Sequence, residues 1–436
     1  MSTLTVPDLA PATEFTLPTC DERVLANGLT VLAVRRPSVP LVELRLRIPF
    51  AHADVATSAV MSQTLFSGTA DKDIVRIAAQ LQSVGGALSA GADADRLMIA
   101  GNSLVGGLST MLGTLAEVLE GATYPEDQVR SERERLVDRL NVAREQAAHQ
   151  VQVAMLKRVY AGHPYSIQSP EPEEVARVDA DAVRRLHSQR LHPTGATLVI
   201  VGDLPTEQAL DAAETALVGW DGAGEQSMME AAPPLETGPL LLVDRPESVQ
   251  SSLRMVMKGV PRRHPDNAAQ HLANLVFGGY FSSRLVANIR EDKGYTYSPR
   301  SAVDHALADS LIIVSAEVAT EVTAAALWET RYELGRMVST MVSEEELDQA
   351  RRYALGTLRL GTATQSGLAS LVSAFAGSGL RLEWLLEHAQ RLASVSVEDV
   401  ARVSQELLAP ANAVTVVLGD VEKIDRSLRA LTPVTR

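Results

Sequence analysis

The sequence is poor in the residues that build disulfides and thiolate sites. Its 436 residues include one cysteine, Cys20, so no intrachain disulfide can form and Cys-based zinc modules are excluded. Aromatic residues are sparse at 4%, and 40 basic side chains face 54 acidic ones, a net charge of −14. Nucleic acid and anionic membranes need a cationic footprint, so neither is expected as a partner. The composition is typical of a soluble protein of a reducing compartment and predicts a cytoplasmic location.

Recognisable catalytic motifs are also missing. The nine histidines are scattered, and no two have the i, i+4 spacing that places two imidazoles on one helical face for zinc. The chain has no His-x-x-Glu-His, His-Glu-x-x-His or Gly-x-Ser-x-Gly run, no P-loop and no dinucleotide fingerprint. Residues 360–380 carry no charge over the length of a membrane span, but interleaved polar residues and glycines favour a helix pair with a loop.

What the sequence does contain is an internal repeat. Residues 191–203 and 408–420 share a leucine, a proline and a terminal Gly-Asp at a constant offset of 217 positions. The same offset pairs Val183 with Val400 in the preceding helices. Each half then has about the length of one domain. The chain therefore consists of two copies of one unit.

The order of elements predicts an α+β fold. The expected domains are a lead-in (1–22), an N-terminal domain (23–220), a Gly/Pro-rich linker (221–238) and a C-terminal domain (239–436). In each, strands lie mostly before and after helical blocks, which disfavours a doubly wound sheet. The predicted strands are 29–34, 41–48, 96–100, 197–201, 240–243, 252–257 and 311–318. The predicted helices are 55–66, 74–84, two long helices up to 159, 267–277, 283–290, 322–341 and 344–358, the last opened by a capping box.

The strongest local signal is in the C-terminal half. Residues 277–298 read Phe-Gly-Gly-Tyr-Phe-Ser-Ser-Arg-Leu-Val-Ala-Asn-Ile-Arg-Glu-Asp-Lys-Gly-Tyr-Thr-Tyr-Ser. With the duplication, this resembles the pitrilysin/insulinase-type zinc peptidases, the inverzincins; in size, the branch of the mitochondrial processing peptidase is nearest. The resemblance implies that Arg290 and Tyr297 hold the substrate backbone near the scissile bond. Both are donors that can bind a peptide carbonyl or an oxyanion. Gly294 is expected to end the helix, so that Tyr297 returns towards Arg290.

The N-terminal half departs from this family at its zinc site. A catalytic member carries Gly-Leu-x-His-x-x-Glu-His-x-Leu-Phe-x-Gly-Thr, and the matching stretch here keeps only Leu-Phe-x-Gly-Thr. In that register Ala59 and Gln63 stand where the two histidine ligands would be, and Ser62 stands where the glutamate base would be.

The third ligand position of the family is also altered. It falls near Asp138 and Arg139, and a cationic Arg139 would repel Zn²⁺. Without imidazole ligands or a base, no metal-bound water can be activated. We therefore expect no metal in this chain.

The resemblance implies two homologous α/β-sandwich domains, each a mixed sheet covered by helices, arranged as half of a clamshell. It further implies a zinc-less, substrate-binding subunit of a heterodimeric metalloendopeptidase for peptides or propeptides. The zinc would belong to a homologous partner subunit, and substrate would add as a strand to a sheet edge. Two alternatives stay open: a structural or peptide-binding scaffold derived from a peptidase, and a peptidase with an unrelated site, for which no constellation is visible.

Overall fold

A computed structural model of the chain describes residues 16–222, 224 and 228–436. In the N-terminal half the strands are β1 (Cys20–Val24), β2 (Thr30–Arg35), β3 (Leu41–Pro49), β4 (Ala87–Ala92), β5 (Arg96–Leu104) and β6 (Thr197–Gly202). Its helices are α1 (Val55–Thr64), α2 (Ile74–Gln82), α3 (Leu108–Gly121), α4 (Glu126–Arg144), α5 (Ala147–Tyr160), α6 (Pro172–Val175), α7 (Ala180–Arg190) and α8 (Thr206–Leu217).

The C-terminal half repeats this plan. Its strands are β7 (Leu240–Asp244), β8 (Gln250–Lys258), β9 (Arg300–His305), β10 (Ser310–Ala319), β11 (Val414–Gly419) and β12 (Val434–Thr435). Its helices are α9 (Asn267–Asn274), α10 (Arg284–Val286), α11 (Thr323–Ser339), α12 (Glu344–Ala363), α13 (Gln365–Gly377), α14 (Trp384–Ser394), α15 (Val397–Leu407) and α16 (Val421–Arg429). Two π-helical segments, Leu275–Gly279 and Ala287–Asp292, continue α9 and α10.

Each half folds around one six-stranded mixed sheet, and the two sheets have corresponding strand orders. These are β1-β2-β6-β3-β5-β4 and β12-β7-β11-β8-β10-β9. In both, the second and third strands are parallel and the following three pairings are antiparallel. The elements β6 and β11, like α7 and α15, are separated by 217 positions. The predicted duplication and the α+β class with mixed sheets are confirmed.

The two halves exchange helices across their sheets. Helix α13 packs on β3 and β6 of the N-terminal sheet, where Val372 and Phe375 lie in one buried cluster with Val199. Helix α5 packs in the same way on β8 and β11 of the C-terminal sheet, where Met155 lies in a cluster with Val416. Each half thus supplies the cover for one face of the other half's sheet.

Several elements differ from the prediction. Strand β1 begins at Cys20, inside the predicted lead-in, whose residues 1–15 lie outside the described residues. Three helices rather than two lie between β5 and residue 160, because α3 also packs on the core. The edge strands β4 and β9 are additional to the predicted set. The linker's described residues, 221, 222, 224 and 228–238, form neither helix nor strand.

Residues 360–380 form a helix pair, as the sequence predicted. Helix α12 opens with the predicted capping box of Ser343 and Glu346, and Thr364 caps α13 immediately after α12 ends. Among the described helices, none has both the length and the apolarity needed to cross a bilayer.

Three histidines of the C-terminal half are held neutral by burial. The ring of His388 stacks 4.6 Å from Trp384 and 5.8 Å from His271, centroid to centroid. Burial, together with the charge of Arg262, lowers the pKa of His271 and His305 to about 4 and that of His388 to about 3. Arg391 also faces His388 and acts in the same direction. Protonation of this cluster therefore opposes folding.

We expect the free energy of unfolding to fall as the pH drops from about 6.5 towards 4. Unfolded histidines titrate near pH 6.5, so in this window the unfolded state binds more protons than the folded one. Above about pH 6.5 these histidines are neutral in both states and cost no stability, whereas at pH 5 each of them lowers the free energy of unfolding by about 2 kcal/mol. Urea unfolding of His388→Phe should show a weaker loss between pH 7.5 and 5 than the wild type. The matched control is His149→Gln on α5, which should keep the wild-type pH dependence; an unchanged slope in His388→Phe would contradict this account.

Candidate functional site

Helix α1 carries the positions at which the family's zinc ligands would stand. Asp54 caps the helix by accepting a hydrogen bond from Thr57 N at 2.8 Å. Ala59 is half-buried and offers only a methyl group. The Ser62 hydroxyl is buried and donates to Ala59 O of its own helix at 3.0 Å, whereas Gln63 is exposed. The helix therefore presents no imidazole and no carboxylate at these three positions.

Helix α4, which packs on α1, carries the third position. The Nη2 of Arg139 donates to Glu132 Oε1 at 2.6 Å, and Arg135 Nε donates to Glu132 Oε2 at 3.0 Å. Glu132 is 8% exposed and is the acid of this helix that is buried. Its charge is thus neutralised by two arginines of its own helix, and Arg139 brings a cation to the position that a zinc ligand would take.

These residues do not fit a zinc ion. Structural and catalytic zinc sites use histidine, cysteine and carboxylate ligands, at least three of them from protein. A methyl group, an amide and a guanidinium supply no such set. Within the described ranges, no three His, Cys, Asp or Glu side chains are grouped closely enough to hold a metal ion. No catalytic step through a metal can be assigned to these residues.

A thiol-based site is equally unsupported. Burial raises the pKa of the Cys20 thiol to about 11, and the nearby carboxylates of Glu383 and Asp21 raise it further. A thiol with such a pKa is protonated at neutral pH, and the thiolate is the nucleophile. Cys20 is therefore unsuited to catalysis.

The C-terminal motif brings Arg290 and Tyr297 into direct contact. Gly294 ends the π-helical segment with a φ of 66°, and its N–H donates to Arg290 O at 3.1 Å. The chain then returns, and the Tyr297 ring centroid lies 4.6 Å from Arg290 Cζ. Phe281 covers the guanidinium as well, with its ring centroid 4.7 Å from Cζ. The predicted return of Tyr297 towards Arg290 is what the structure shows.

No role for Phe281 is predicted from the sequence, although this residue lies within the motif of residues 277–298. Phe281 and Tyr297 are 63% and 80% exposed, which is high for large rings in a protein with few aromatic residues. Rings over a planar guanidinium leave its edge, where the N–H donors point, for other partners. One donor, Nε of Arg290, lies 3.1 Å from Glu291 Oε1. We refer to Phe281, Arg290 and Tyr297 as the aromatic–arginine cluster.

The segment that carries this cluster is held firmly to its neighbours. Arg284 donates from Nε and Nη2 to the two carboxylate oxygens of Glu346 at 2.7 and 2.9 Å. This pairing lowers the pKa of Glu346 to about 2. Asn288 donates to Glu329 at 3.0 Å and to the buried Glu333 at 2.7 Å. The helix bearing Arg290 is thereby fixed to α11 and α12, a rigid support for a binding residue.

The two sets of predicted site residues do not meet. Ala59 lines a cavity between the two halves, and neither Arg290 nor Tyr297 is among the residues that line it. The aromatic–arginine cluster instead lies on an exposed surface of the C-terminal half. A ligand bound by the aromatic–arginine cluster would therefore lie outside the cavity that Ala59 lines.

A duplicated unit with two matching mixed sheets, exchanged helices and this motif is similar to the M16, or insulinase-like, peptidases. Residues 177–353 match the model of a protein family that is described as "Peptidase M16 inactive domain". The resemblance seen in the sequence is confirmed over this segment.

Relatives of known sequence extend the similarity beyond the matched segment. The uncharacterized zinc protease YmxG of Bacillus subtilis is 23% identical over 279 residues, covering 62% of this chain and 67% of that protein. An uncharacterized zinc protease of Streptomyces coelicolor is 20% identical over 410 residues, covering 90% of this chain and 88% of that protein.

Solved structures show the same fold. A peptidase M16 inactive domain from Pseudomonas fluorescens superposes with a TM-score of 0.86 at 22% identity, covering 92% of this chain and 98% of that one. A protease from Helicobacter pylori superposes with a TM-score of 0.84 at 18% identity, covering 93% and 100%. These similarities establish the architecture of both halves.

Proposed function

We propose that this chain is the non-catalytic, substrate-binding subunit of a heterodimeric zinc metalloendopeptidase that processes peptides or propeptides. Its partner would be a homologous cytoplasmic subunit that carries His-x-x-Glu-His and holds the zinc. The observation that carries the proposal is the exposed aromatic–arginine cluster. It stacks the ring of Tyr297 on the guanidinium of Arg290, so that two side chains with hydrogen-bond donors lie together at the surface.

The chemistry suits a peptide backbone near a scissile bond. Arg290 and Tyr297 can donate to a carbonyl oxygen or to the oxyanion that develops from it in the partner's active site. Strand β9, which follows Tyr297 closely, is the last strand of its sheet. An edge strand has unpaired backbone groups that can accept an added peptide strand. Backbone recognition of this kind gives affinity with limited side-chain selectivity, as processing of varied peptides requires.

The degenerate α1 position supports the same division of labour. Ala59, Ser62 and Gln63 supply neither ligand nor base, and Arg139 is engaged with Glu132. A chain that can bind substrate but has no zinc ligands and no general base needs a second chain to cleave the peptide bond. The alternative, a structural or peptide-binding scaffold without a proteolytic role, would use the aromatic–arginine cluster for binding at most and would require no zinc-bearing partner.

Substitutions at the cluster test the proposal in a mixture with the zinc-bearing homologue from the same genome. Arg290→Ala should lower kcat/KM about 10²-fold or more, because a donor to the developing oxyanion is lost. Tyr297→Phe should also lower it, although the ring over Arg290 is kept. Both side chains lie at the surface, so the unfolding temperature should stay within a degree or two of the wild type.

The matched control is Arg352→Ala. Arg352 lies on α12 in the same half, its side chain is 70% exposed, and it is paired with Asp348 at 2.9 Å. This variant should cleave at the wild-type rate. Normal cleavage by both Arg290→Ala and Tyr297→Phe would favour the scaffold alternative and overturn the assigned roles.

A further inference from the structure

A cavity of about 1020 Å³ lies between the two halves. The N-terminal half contributes α1, the β4–β5 hairpin and residues 162–170 to its wall. The C-terminal half contributes Arg262, the β9–β10 hairpin and the end of α13. A volume of this size is sufficient for a small-molecule ligand or a short peptide.

Two arginines on one face of β3 have opposite surroundings. Arg45 donates to Glu43 Oε2 at 3.0 Å, to Leu44 O at 2.8 Å and to Ser366 Oγ on α13 at 2.9 Å. Arg47 lies two residues further along the same face, lines the cavity and is only 6% exposed. It makes no hydrogen bond and no ion pair with any residue in the described part of the chain. Burial of an unpaired charge is unfavourable, so the guanidinium of Arg47 lowers the free energy of unfolding.

The packing around Arg47 keeps its guanidinium at the cavity wall. Gly377 of α13 lies directly against it, and a Cβ at that glycine would stand 2.6 Å from Arg47 Cζ. Burial lowers the pKa of Arg47, and the charge of Arg96 lowers it further. An arginine remains charged at neutral pH even so. The site therefore contains a desolvated cation without a counterion from the described residues.

The acidic groups nearest to Arg47 are engaged elsewhere. Asp95 accepts a hydrogen bond from Tyr165 Oη at 2.7 Å within the N-terminal half and one from Leu307 N at 3.2 Å across the two halves. Asp93 is paired with Arg96 Nε at 3.1 Å. These carboxylates offset the charge of Arg47 from a distance but do not bind it.

We propose that this cavity is a carboxylate-binding site in which Arg47 binds one carboxylate group of a ligand. A second cation, Arg262, lies in the wall contributed by the C-terminal half and is likewise unpaired among the described residues. Asp54 and Asp304 also line the cavity, so a singly charged group is favoured over a phosphate dianion. The carboxylate belongs either to a peptide C-terminus or to a free small acid. This site is separate from the aromatic–arginine cluster and does not depend on the proposed function.

Calorimetric titration of the full-length chain tests the site with three probes. They are acetyl-tetra-alanine with a free C-terminus, the same peptide with a C-terminal amide, and glutarate. The free acid should bind roughly 10- to 100-fold more tightly than the amide, because a charge-assisted hydrogen bond is lost. Binding of the peptide acid alone identifies a peptide C-terminus, and equal binding of glutarate identifies a free carboxylate; both support the site.

Two methionine variants separate binding from structure. Arg47→Met should abolish carboxylate binding while the unfolding temperature stays equal or rises, because a buried unpaired charge is removed. Arg45→Met, on the same face of β3, should lower the unfolding temperature and leave peptide affinity unchanged. Carboxylate binding that survives Arg47→Met, or the absence of binding by both acids in the wild type, would overturn the proposal.

Discussion

If the proposed heterodimer is correct, neither this chain nor a zinc-bearing homologous partner should cleave a peptide on its own at more than a background rate, whereas an equimolar mixture should. The reason is that the two chains would supply different parts of the active site. Ala59, Ser62, Gln63 and Arg139 of this chain supply no metal ligand set and no base, whereas the proposal assigns to Arg290 and Tyr297 the role of donors to substrate. A quenched fluorescent peptide assay on each chain and on the mixture measures the gain, which we expect to exceed about 10²-fold.

Metal removal provides the control for this expectation. EDTA should abolish the activity of the mixture, and added zinc should restore it. The unfolding temperature of this chain alone should not respond to EDTA, because its α1 and α4 residues supply no set of zinc ligands. A partner that is fully active alone, or a mixture no more active than its components, would contradict the proposed division.

The second large effect concerns the exchanged helices. Met155 belongs by sequence to the N-terminal half but is fully buried against the C-terminal sheet, in a cluster with Val256 and Val416. We expect Met155→Ala to lower the free energy of unfolding by about 2–5 kcal/mol. Because α5 and α13 each cover the other half's sheet, the whole chain should still unfold in one transition.

Truncation should show the same dependence. A fragment of residues 239–436 lacks α5 and exposes the apolar face of β8 and β11, so it should not form a stable fold without the other half. The predicted domain boundaries at 23–220 and 239–436 then mark sequence repeats rather than independent folding units. The matched control for Met155→Ala is Lys157→Ala, at an exposed position on α5, which should change the free energy of unfolding by less than about 0.5 kcal/mol. Independent folding of the 239–436 fragment, measured by circular dichroism, would refute this.

The sequence predicted the architecture because the repeat and the central strands carry strong patterns. The offset of 217 positions anticipated β6 and β11, and the capping box at Ser343 anticipated the start of α12. Edge strand β4 was not predicted because its residues, Ala-Leu-Ser-Ala-Gly-Ala, have low strand propensity. They adopt an extended conformation because they pair with β5. The exchange of α5 and α13 could not be predicted either. Periodicity reveals which face of a helix is buried but not which sheet buries it.

For the site, the family resemblance paired Arg290 with Tyr297, and the expected end of the helix at Gly294 supplied the physical reason for their contact. The contribution of Phe281 depends on a tertiary contact with Arg290 and had no separate signal. The isolation of Arg47 was likewise hidden, because its neighbours come from α13, more than 300 residues further along the chain. Contacts across the two halves are the part that the sequence alone does not specify.

The zinc stoichiometry of the purified complex tests the central claim most directly. Native mass spectrometry of the co-expressed chains should show a one-to-one complex with a single zinc ion, and this chain alone should carry none. A tightly bound zinc ion on this chain by itself, or no association between the two chains, would contradict the assignment of a zinc-less, substrate-binding subunit.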